Sequence, residues 1–341
     1  MSNILISGGA GYVGTELTDF LLSKGHEVVV LDRCFFGQDP VKDFLPDKNF
    51  KLIKDDIRYF DKTVLKGVDA VIDMAGISND PSCDIDPNAT ESINYKGCLR
   101  MATLAKEMGV KRYISTSSCS VYGKGSTSEL TETSPTNPVS LYAKTKSAVE
   151  ANVGLLGDDE FCVTLLRNAT VYGLSRRMRF DLAVNMMVLY AYNNRRIFIT
   201  GQGQQWRPMV HVSDVAHAFE IVLEAPVAKV NGEIFNVGSN QQNYKILQIA
   251  NCIRDVIPFT SLEIVPDDPD RRSYNVCFDK ISNILGFKAE KSLKDGIVEI
   301  YNALEKGIIS ESIRTNTLGY YQYLLDAHKA LNEVLYNGKV F

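Results

Sequence analysis

The sequence is poor in the residues that build metal centres and disulfide frameworks. Only four of its 341 residues are histidines, and none of its seven cysteines belongs to a Cys-x-x-Cys pair. His26 and His211 lack the spacing of metal ligands, so we predict no metal site. An odd number of scattered cysteines is typical of reduced thiols, and it favours a cytoplasmic protein.

Long apolar runs and a large excess of one charge are missing as well. No segment approaches the roughly 18 uncharged apolar residues of a membrane span, and the first residues enter a strand pattern without a secretory signal. The net charge of −4 gives no reason to expect nucleic acid or an anionic membrane as a partner. Hydrophobic and charged fractions of 45% and 23% indicate a globular chain of one or two domains.

Apolar runs alternate with amphipathic stretches of helical length. This alternation predicts an α/β fold, a doubly wound parallel sheet with helices on both faces. Ligands of such sheets bind at the carboxyl ends of the strands, so the residues that follow each run form the candidate site. The predicted strands are 3–7, 27–32, 50–54, 69–73, 112–117 and 161–167. The predicted helices are 12–24, 90–108 and 140–156, with a shorter piece near 61–66.

A glycine-rich turn, residues 7–14, follows the first predicted strand. Gly8 would permit the tight turn, Gly11 would let the backbone approach a pyrophosphate, and Gly14 would let helix and strand pack closely. The helix would start at Tyr12 and Val13, where backbone N–H groups meet phosphate charge. Strand, turn and helix in this order predict a dinucleotide site.

An acid, Asp32, ends the second predicted strand. At this distance from the glycines, a carboxylate typically accepts a hydrogen bond from the adenosine ribose 2′-OH of NAD. Because Asp32 would repel a 2′-phosphate, it favours NAD over NADP. Arg33 leaves the alternative open, since an arginine at this place can accept that phosphate.

The third and fourth predicted strands are also followed by candidate cofactor residues. Asp56 could accept from an adenine amino group, with Ile57 packed on the ring. The small residues around Met74, Ala75 and Gly76 would let the backbone approach the phosphates and ribose.

Asn94 lies within the predicted helix 90–108, for which Thr90 is a candidate N-cap. A buried amide is costly unless it is hydrogen-bonded, so Asn94 is predicted to brace the backbone of the site. An exposed helical asparagine is the alternative.

The catalytic candidates follow the fifth predicted strand. Tyr142 and Lys146 are four positions apart and share one face of a helix. A tyrosine is a poor base at neutral pH, but a nearby ammonium and a bound NAD⁺ both favour its phenolate. Tyr142 could then take a proton from a sugar hydroxyl while hydride leaves the same carbon, and Ser118 could hydrogen-bond that oxygen.

These motifs together resemble the extended short-chain dehydrogenase/reductase family, in the nucleotide-sugar epimerase and dehydratase branch that includes UDP-galactose 4-epimerase. The resemblance extends to about residue 305. It implies a Rossmann-type sheet with a smaller C-terminal α/β lobe that binds a nucleotide diphosphate-sugar, and NAD as the cofactor. It also implies that Lys146 bonds the nicotinamide ribose and that helices 90–108 and 140–156 form the four-helix bundle of a homodimer.

The second half of the chain carries further segments similar to this family, at residues 166–173, 206–215 and 267–274. The resemblance implies that backbone at Ala169 touches nicotinamide and that Thr170 faces substrate. Arginine forks match phosphate oxygens, which makes three arginines candidates for the substrate diphosphate. They are Arg179, Arg207 and Arg272. The remaining candidates are Ser117 for the cofactor, and Ser78, Cys119 and Asn185 for the substrate.

The predicted domains follow the same resemblance. Residues 1–172 form the NAD-binding domain, completed by segments near 207–240, and residues 173–310 form most of the nucleotide-sugar lobe. The tail, 311–341, has no clear family match and is interpreted as a helix over the core or an oligomer contact.

The residues after Ser118 bear on the reaction. The 4,6-dehydratases of this family carry an Asp-Glu pair where this chain has Cys119 and Ser120, which argues against dehydration. Cys119 occupies the place of the dehydratase acid and could face the sugar, or it could be an apolar buried cysteine. Reversible oxidation at C4 remains, so a 4-epimerase is predicted, with a 4-dehydrogenase or 4-ketoreductase as the alternative. A non-catalytic NAD-sensing protein is a third possibility, although such proteins usually lose the Tyr/Lys pair.

Overall fold

The computed structural model describes residues 1–123, 129–266 and 273–340. The strands are β1 Asn3–Ser7, β2 Glu27–Asp32, β3 Phe50–Lys54, β4 Ala70–Asp73, β5 Arg112–Ser118, β6 Cys162–Asn168, β7 Thr170–Tyr172, β8 Arg196–Thr200, β9 Trp206–His211, β10 Glu233–Val237, β11 Asn243–Lys245 and β12 Ser261–Val265. The α-helices are α1 Tyr12–Ser23, α2 Asp80–Ile85, α3 Pro87–Glu91, α4 Cys98–Glu107, α5 Leu141–Val153, α6 Ala183–Asn194, α7 Val212–Glu224, α8 Val227–Val230, α9 Ile246–Val256, α10 Asp279–Leu285, α11 Leu293–Glu305 and α12 Thr317–Val334.

A seven-stranded sheet in the order β10-β6-β5-β4-β1-β2-β3 forms the centre of the fold. Every neighbouring pair in it is parallel. The strand order turns back between β1 and β4, which is the switch point where α/β sheets bind ligands. The predicted Rossmann-type, doubly wound parallel sheet is therefore confirmed.

Helices cover both faces of this sheet. Side chains along each strand alternate between the two faces, so one strand packs against both helical layers. Ile4 and Ile6 of β1 belong to the same core cluster as the apolar side chains of α1 and α7. Leu5, between them, packs on the other face with apolar side chains of α4 and α5. All three side chains have no solvent exposure, so the strand is apolar throughout, as expected for a sheet buried on both faces.

A second cluster of buried side chains forms the smaller lobe. It joins α6, α9 and α11 with β8. Two small sheets, β11-β9-β7 and β12-β8, belong to this half of the chain. The chain also returns from this region to the large sheet, because β10 pairs with β6 at its edge.

The predicted helix 90–108 differs from the observed one in two respects. The helical run begins at α3, and its N-cap is Asp86, whose carboxylate accepts from the Ala89 N–H. Thr90 is not the cap: it lies inside the helix and its hydroxyl donates to the Cys83 carbonyl. Residues Ser92–Gly97, between α3 and α4, form a π-helical segment, a rare insertion that often marks a functional site.

The tail forms a long helix, α12, after a short 3₁₀ turn at Ile313–Thr315. Among residues 1–123, 129–266 and 273–340, no helix has both the length and the apolar character of a membrane span.

Candidate active site

A cleft of about 790 Å³ opens at the carboxyl ends of the sheet strands. This volume lies within the range of about 300–1,000 Å³ that is usual for small-molecule sites. Most of the predicted site residues line this one cleft. They are Gly8, Gly11, Tyr12, Val13, Gly14, Asp32, Arg33, Asp56, Ile57, Met74, Ala75, Gly76, Ser78, Ser117, Ser118, Tyr142, Lys146, Ala169, Thr170, Arg179 and Arg207.

The glycine turn has the geometry of a phosphate cradle. Gly8 has a φ of +72°, and a Cβ there would lie 2.9 Å from the backbone of Ala75. A Cβ on Gly14 would lie 2.6 Å from the Cα of Gly9. Gly11 is the N-cap of α1. Only glycine fits at positions 8 and 14. The backbone of the turn can therefore lie close to the space where a pyrophosphate would bind.

Asp32 stands at the end of β2 beside this turn. Its carboxylate accepts from the Ala10 N–H at 3.0 Å and from the Cys34 N–H at 2.7 Å. Burial raises the pKa of Asp32 above its ordinary value, against the two backbone donors. The carboxylate is thus fixed at the edge of the cradle, where the ribose of a bound dinucleotide would lie.

Arg33 is turned to a different partner. Its Nη1 donates to Asp56 at 2.7 Å, and Arg58 donates to the same carboxylate through Nε and Nη2. Although burial opposes it, Arg58 and then Arg33 hold the pKa of Asp56 well below its usual range. The ion pair occupies the guanidinium that could have accepted a 2′-phosphate, which favours NAD.

The same ion pairs bear on the adenine contact predicted for Asp56. Its carboxylate accepts four hydrogen bonds, three from the guanidinium groups of Arg33 and Arg58 and one from the Arg58 N–H. A carboxylate offers about four acceptor positions, so an adenine amino group would have to displace one of these donors. The adenine role of Asp56 stays a prediction.

Asn94 braces the backbone after β4. Its amide accepts from the Ile77 N–H at 2.7 Å and donates to the Ile77 carbonyl at 2.8 Å. The side chain has no solvent exposure and lies on the π-helical segment. It fixes the chain beside Gly76, as the buried-amide argument predicts, and it acts from behind the cleft wall.

The catalytic candidates meet in the cleft. Lys146 Nζ donates to the Thr116 carbonyl at 2.8 Å and lies 5.9 Å from the centroid of the Tyr142 ring. Ser118, at the end of β5, accepts from the Ser120 N–H through its Oγ. Ser140 is the N-cap of helix α5, and its hydroxyl accepts a hydrogen bond from the Ala143 N–H. This cap sets the position of the first turn, which carries Tyr142.

Burial and charge act in opposite directions on the two catalytic candidates of α5. Burial raises the pKa of the Tyr142 phenol above its ordinary value, and the Lys146 ammonium partly offsets this. Burial alone would lower the pKa of Lys146, but its acidic neighbours, Tyr142 first, raise it overall. Lys146 therefore remains a cation. Its effect on Tyr142 has the predicted direction but does not outweigh burial, and the positive charge of a bound NAD⁺ would act in the same direction as Lys146.

Ser117 faces away from its neighbour Ser118 because alternate side chains of a strand point to opposite sides. Its hydroxyl donates to Glu150 at 2.5 Å. Glu150 also receives Arg167 through two hydrogen bonds, of 2.9 and 2.7 Å. The hydroxyl of Ser117 is therefore used in the core, and any cofactor contact is left to its backbone.

Cys119 does not face the cleft. Its side chain is 1% exposed, and Sγ lies 3.3 Å from the Arg167 carbonyl. Burial raises the pKa of this thiol far above its usual range. This burial fits the alternative of an apolar buried cysteine and disfavours the sugar contact, which stays a prediction. The neighbour Ser120 lines the cleft instead.

Several buried polar atoms lie at the cleft without a hydrogen-bond partner in the described structure. A buried polar group without a partner is costly, so these atoms are available to a polar ligand or to water bound in the cleft. The sequence analysis missed the residues that carry them. They are Thr116 Oγ1, Ser120 Oγ, Asn168 Oδ1, Arg177 Nε and Gln205 Oε1.

Two of these residues could have been found from the sequence. Ser120 follows Ser118 by two positions, and Asn168 ends the sixth strand. Arg177 and Gln205 carry no comparable local signal, because tertiary packing brings them to the cleft.

Arg179 reaches the cleft as part of an ion pair. Its Nε and Nη2 donate to the two oxygens of Asp181, and Nη1 donates to Ser78. Asn79 donates to Asp181 as well. Arg179 stays a candidate for the diphosphate, with its guanidinium held in place and its charge partly neutralised.

Asn185 holds neighbouring segments together behind the cleft and is not among the residues that line it. It accepts from the Gly173 N–H and donates to the Tyr12 hydroxyl and the Arg179 carbonyl, and its side chain has no solvent exposure. These hydrogen bonds use the amide within the protein and disfavour the substrate contact of Asn185, which stays a prediction. Arg207 lies over the Tyr274 ring at 5.8 Å, and Arg272 lies outside the described residues.

Known proteins resemble this chain over most of its length. A UDP-glucuronic acid decarboxylase 1 of Xenopus tropicalis is 28% identical over 86% of this chain and 70% of its own. An uncharacterized UDP-glucose epimerase of Bacillus subtilis is 29% identical over 86% of this chain and 95% of its own. The structure of a UDP-glucuronic acid 4-epimerase of Bacillus cereus, in complex with UDP-glucuronic acid and NAD, has a TM-score of 0.80 at 23% identity, over 89% of this chain and 99% of that one. The last likeness shows the shared fold.

The family itself is identified by a sequence model that matches residues 4–238. This range contains the glycine turn, the Tyr142/Lys146 pair and most of the cleft. It also confirms the predicted cofactor, because the family is described by its dependence on NAD. The chain is a member of the NAD dependent epimerase/dehydratase family.

Proposed function

We propose that this protein is a nucleotide-sugar 4-epimerase that acts on a UDP-sugar through transient oxidation at C4. The observation that carries the proposal is the meeting of Ser118, Tyr142 and Lys146 in one cleft with the glycine turn. The relatives named above, which include UDP-sugar enzymes, support this nucleotide.

The glycine turn and Asp32 fit a dinucleotide, because a Cβ would fill the cradle at Gly8 and Gly14. NAD⁺ held there would supply the hydride acceptor for the oxidation at C4 and the hydride donor for the return. The predicted role of Tyr142 is to take the proton of the 4-hydroxyl as hydride leaves C4, and later to return it. The predicted role of Ser118 is to hold the same oxygen by a hydrogen bond. Lys146 supplies positive charge beside the phenol.

Inversion requires that the 4-keto sugar turn over within the cleft before the hydride returns. Arg179 and Arg207 line the cleft and are the candidates to hold the diphosphate during this turn. An anchored diphosphate would let the sugar rotate without leaving the site, so that the redox state of the cofactor is restored in each cycle.

Dehydration at C5–C6 fits the site poorly. Carboxylates of the dehydratase pair are replaced by Cys119, which is buried, and by Ser120, whose hydroxyl lines the cleft. Neither side chain is an acid–base group of suitable pKa near neutral pH.

The test is a panel of UDP-, GDP- and dTDP-sugars incubated with the purified protein without added NADH, with the products identified by NMR. We expect the C4 epimer of one UDP-sugar and no net NADH. A keto sugar with accumulating NADH would point to a 4-dehydrogenase, and loss of CO₂ from a uronic acid sugar would point to a decarboxylase. Either result would overturn the proposal.

A Tyr142→Phe variant separates an enzyme from an NAD-sensing protein. We expect NAD binding to be retained and turnover to fall by about 10²–10⁴-fold, the usual contribution of a general base. Normal turnover in this variant would refute the role of the phenol.

We also propose that the protein is a cytoplasmic homodimer built through α4 and α5. Partly exposed apolar side chains on the 93–104 segment support this contact. They are Ile93, Tyr95, Leu99 and Leu104. Sedimentation velocity should give twice the mass of the chain, and a monomer at micromolar concentration would contradict the proposal.

A further inference from the structure

Helix α12 lies outside the segment matched by the family, yet it lies against the cofactor end of the cleft. Tyr320 and Tyr321 of this helix pack on Phe35 and Phe36, which follow β2 and Asp32. The ring centroids are 5.8 Å apart for Phe35 and Tyr321, 5.3 Å for Phe36 and Tyr320, and 5.5 Å for Phe36 and Tyr321. Pairs at this spacing contribute beyond the area that they bury, so the helix is attached to the dinucleotide side of the cleft.

The start of the same helix is attached to the neighbouring 177–181 segment. Thr317, which is 1% exposed, accepts from Arg177 Nη2 at 3.0 Å and donates to Asp181 at 3.3 Å. The backbone N–H of Phe180 donates to the Thr315 carbonyl at 2.8 Å. The first turn of α12 and the turn before it therefore contact both the loop after β2 and the 177–181 segment, which carries the predicted substrate arginine.

Arg177 is the point where these two attachments meet. Its guanidinium lies 3.5 Å from the centroid of the Phe36 ring, and the side chain is buried, with 5% exposed. Burial lowers its pKa to about 10, so it is still a cation at neutral pH. Its Nε lines the cleft region without a partner among the described residues. This one donor atom of Arg177 is therefore available to an acceptor bound in the cleft.

Tyr321 lines the cleft from α12. Burial raises its pKa to about 12, while Arg177 and Arg179 act in the opposite direction. The phenol is therefore protonated at neutral pH and can donate a hydrogen bond. Its ring packs on Phe35 and Phe36, which follow the predicted ribose ligand Asp32 by three and four positions, and this places Tyr321 at the ribose side of the dinucleotide site.

We propose that α12 is a strap that closes the cofactor cleft and retains the dinucleotide between turnovers. Tyr321 is the cofactor-binding residue of this strap, and its hydroxyl donates to a ribose or phosphate oxygen. Thr317 and Phe36 are positioning residues that hold the first turn of the strap against the cleft. The inference rests on the cofactor site of the proposed function and is independent of which sugar is converted. Retention suits a reaction in which the cofactor is restored in each cycle.

The test is the rate at which bound NADH leaves the protein, followed by stopped-flow fluorescence after mixing with excess NAD⁺. We expect Tyr321→Ala to speed release by about tenfold or more, since it removes a hydrogen bond to a charged group and part of the wall. Thr317→Val, which removes the hydrogen bonds of the first turn to Arg177 and Asp181, should also speed release. Tyr321→Phe keeps the ring and should fall between Tyr321→Ala and the wild type.

The matched control is Tyr336→Ala, because this tyrosine follows α12 and is 81% exposed. It should release NADH at the wild-type rate, and thermal melting should show that all four variants are folded. Wild-type release rates in both Tyr321→Ala and Thr317→Val would overturn the strap, and a wild-type rate in Tyr321→Phe would overturn the hydroxyl contact. The measurement needs no turnover, so its failure is distinct from failure of the epimerase proposal. A wild-type protein that does not hold NADH would overturn both the strap and the cofactor site.

Discussion

The ammonium of Lys146 lies 5.9 Å from the centre of the Tyr142 ring, one turn away on the same helix. Its charge lowers the pKa of the phenol, and burial of the phenol raises it. The pKa of the Tyr142 phenol therefore depends on its burial and on the charge of Lys146.

Removing the cation of Lys146 should move the pH dependence of the reaction. In Lys146→Met the pKa of Tyr142 rises further, so the phenolate forms only at higher pH. The ascending limb of log kcat against pH should therefore shift to higher pH, and activity at pH 7 should fall. The measurement is a pH–rate profile under saturating substrate and cofactor.

Lys144→Met is the control for this profile, because Lys144 is exposed on the same helix. It should leave the limb unchanged, and Lys146→Arg, which keeps the charge, should move it little. A limb in Lys146→Met that stays in place or moves to lower pH would show that Tyr142 is not the titrating base.

Asp32 should decide between NAD and NADP. In Asp32→Asn the charge is lost, and with it a charge-assisted hydrogen bond worth about 1.5–3 kcal/mol. We expect the Kd for NAD to rise about tenfold or more, and the ratio of the Kd for NADP to the Kd for NAD to fall. Calorimetric titration with both dinucleotides measures the two constants.

Arg33→Ala is the companion to that titration. Since Arg33 is paired with Asp56, its removal should leave NADP binding almost unchanged. A loss of NADP affinity in Arg33→Ala, or full discrimination in Asp32→Asn, would contradict the assignment.

The buried pair of Arg167 and Glu150 should contribute to stability as well as to position. Their side chains are 4% and 7% exposed. Arg167→Met leaves a buried carboxylate without its cation, which should lower the free energy of unfolding by about 3–5 kcal/mol. Chemical denaturation followed by circular dichroism measures this change.

An exposed pair provides the comparison. Lys111 and Glu160 are 70% and 87% exposed, so Lys111→Met should cost less than about 1 kcal/mol. The double variant Glu150→Gln/Arg167→Met should recover part of the lost stability, since no unpaired charge remains. Equal effects of Arg167→Met and Lys111→Met would refute a stabilising role for the buried pair.

The sheet and the cofactor half of the site could be predicted from the sequence because their signals are local. Each of the first six strands is an apolar run bounded by loop residues, and the predicted limits lie close to those observed. The glycines and Asp32 sit at strand ends, where topology alone brings them to one edge. Tyr142 and Lys146 share a face because of helical spacing alone.

Side-chain direction was predicted less well at Cys119 and Asn185. Cys119 begins a 3₁₀ turn at Cys119–Tyr122, so the alternation of β5 does not continue through it, and its thiol is directed to the Arg167 carbonyl. The amide of Asn185 bonds three groups, those of Tyr12, Gly173 and Arg179, which belong to different parts of the chain. No local pattern distinguishes such a brace from a ligand contact.

The wall formed by α12 could not be predicted because its contacts are long-range. Tyr321 meets Phe35 and Phe36 across most of the chain length. The sequence indicated a helix with several tyrosines, and only the folded chain shows which surface they cover.

The most direct test of the account is to follow a hydrogen label at C4 through the reaction. The UDP-sugar identified by the panel, carrying deuterium at C4, is incubated with the protein, and the product is examined by NMR and mass spectrometry. The account predicts the C4 epimer with deuterium retained at C4, because the same hydride leaves and returns. An epimer that has exchanged its C4 deuterium with solvent, or a product without inversion at C4, would contradict it.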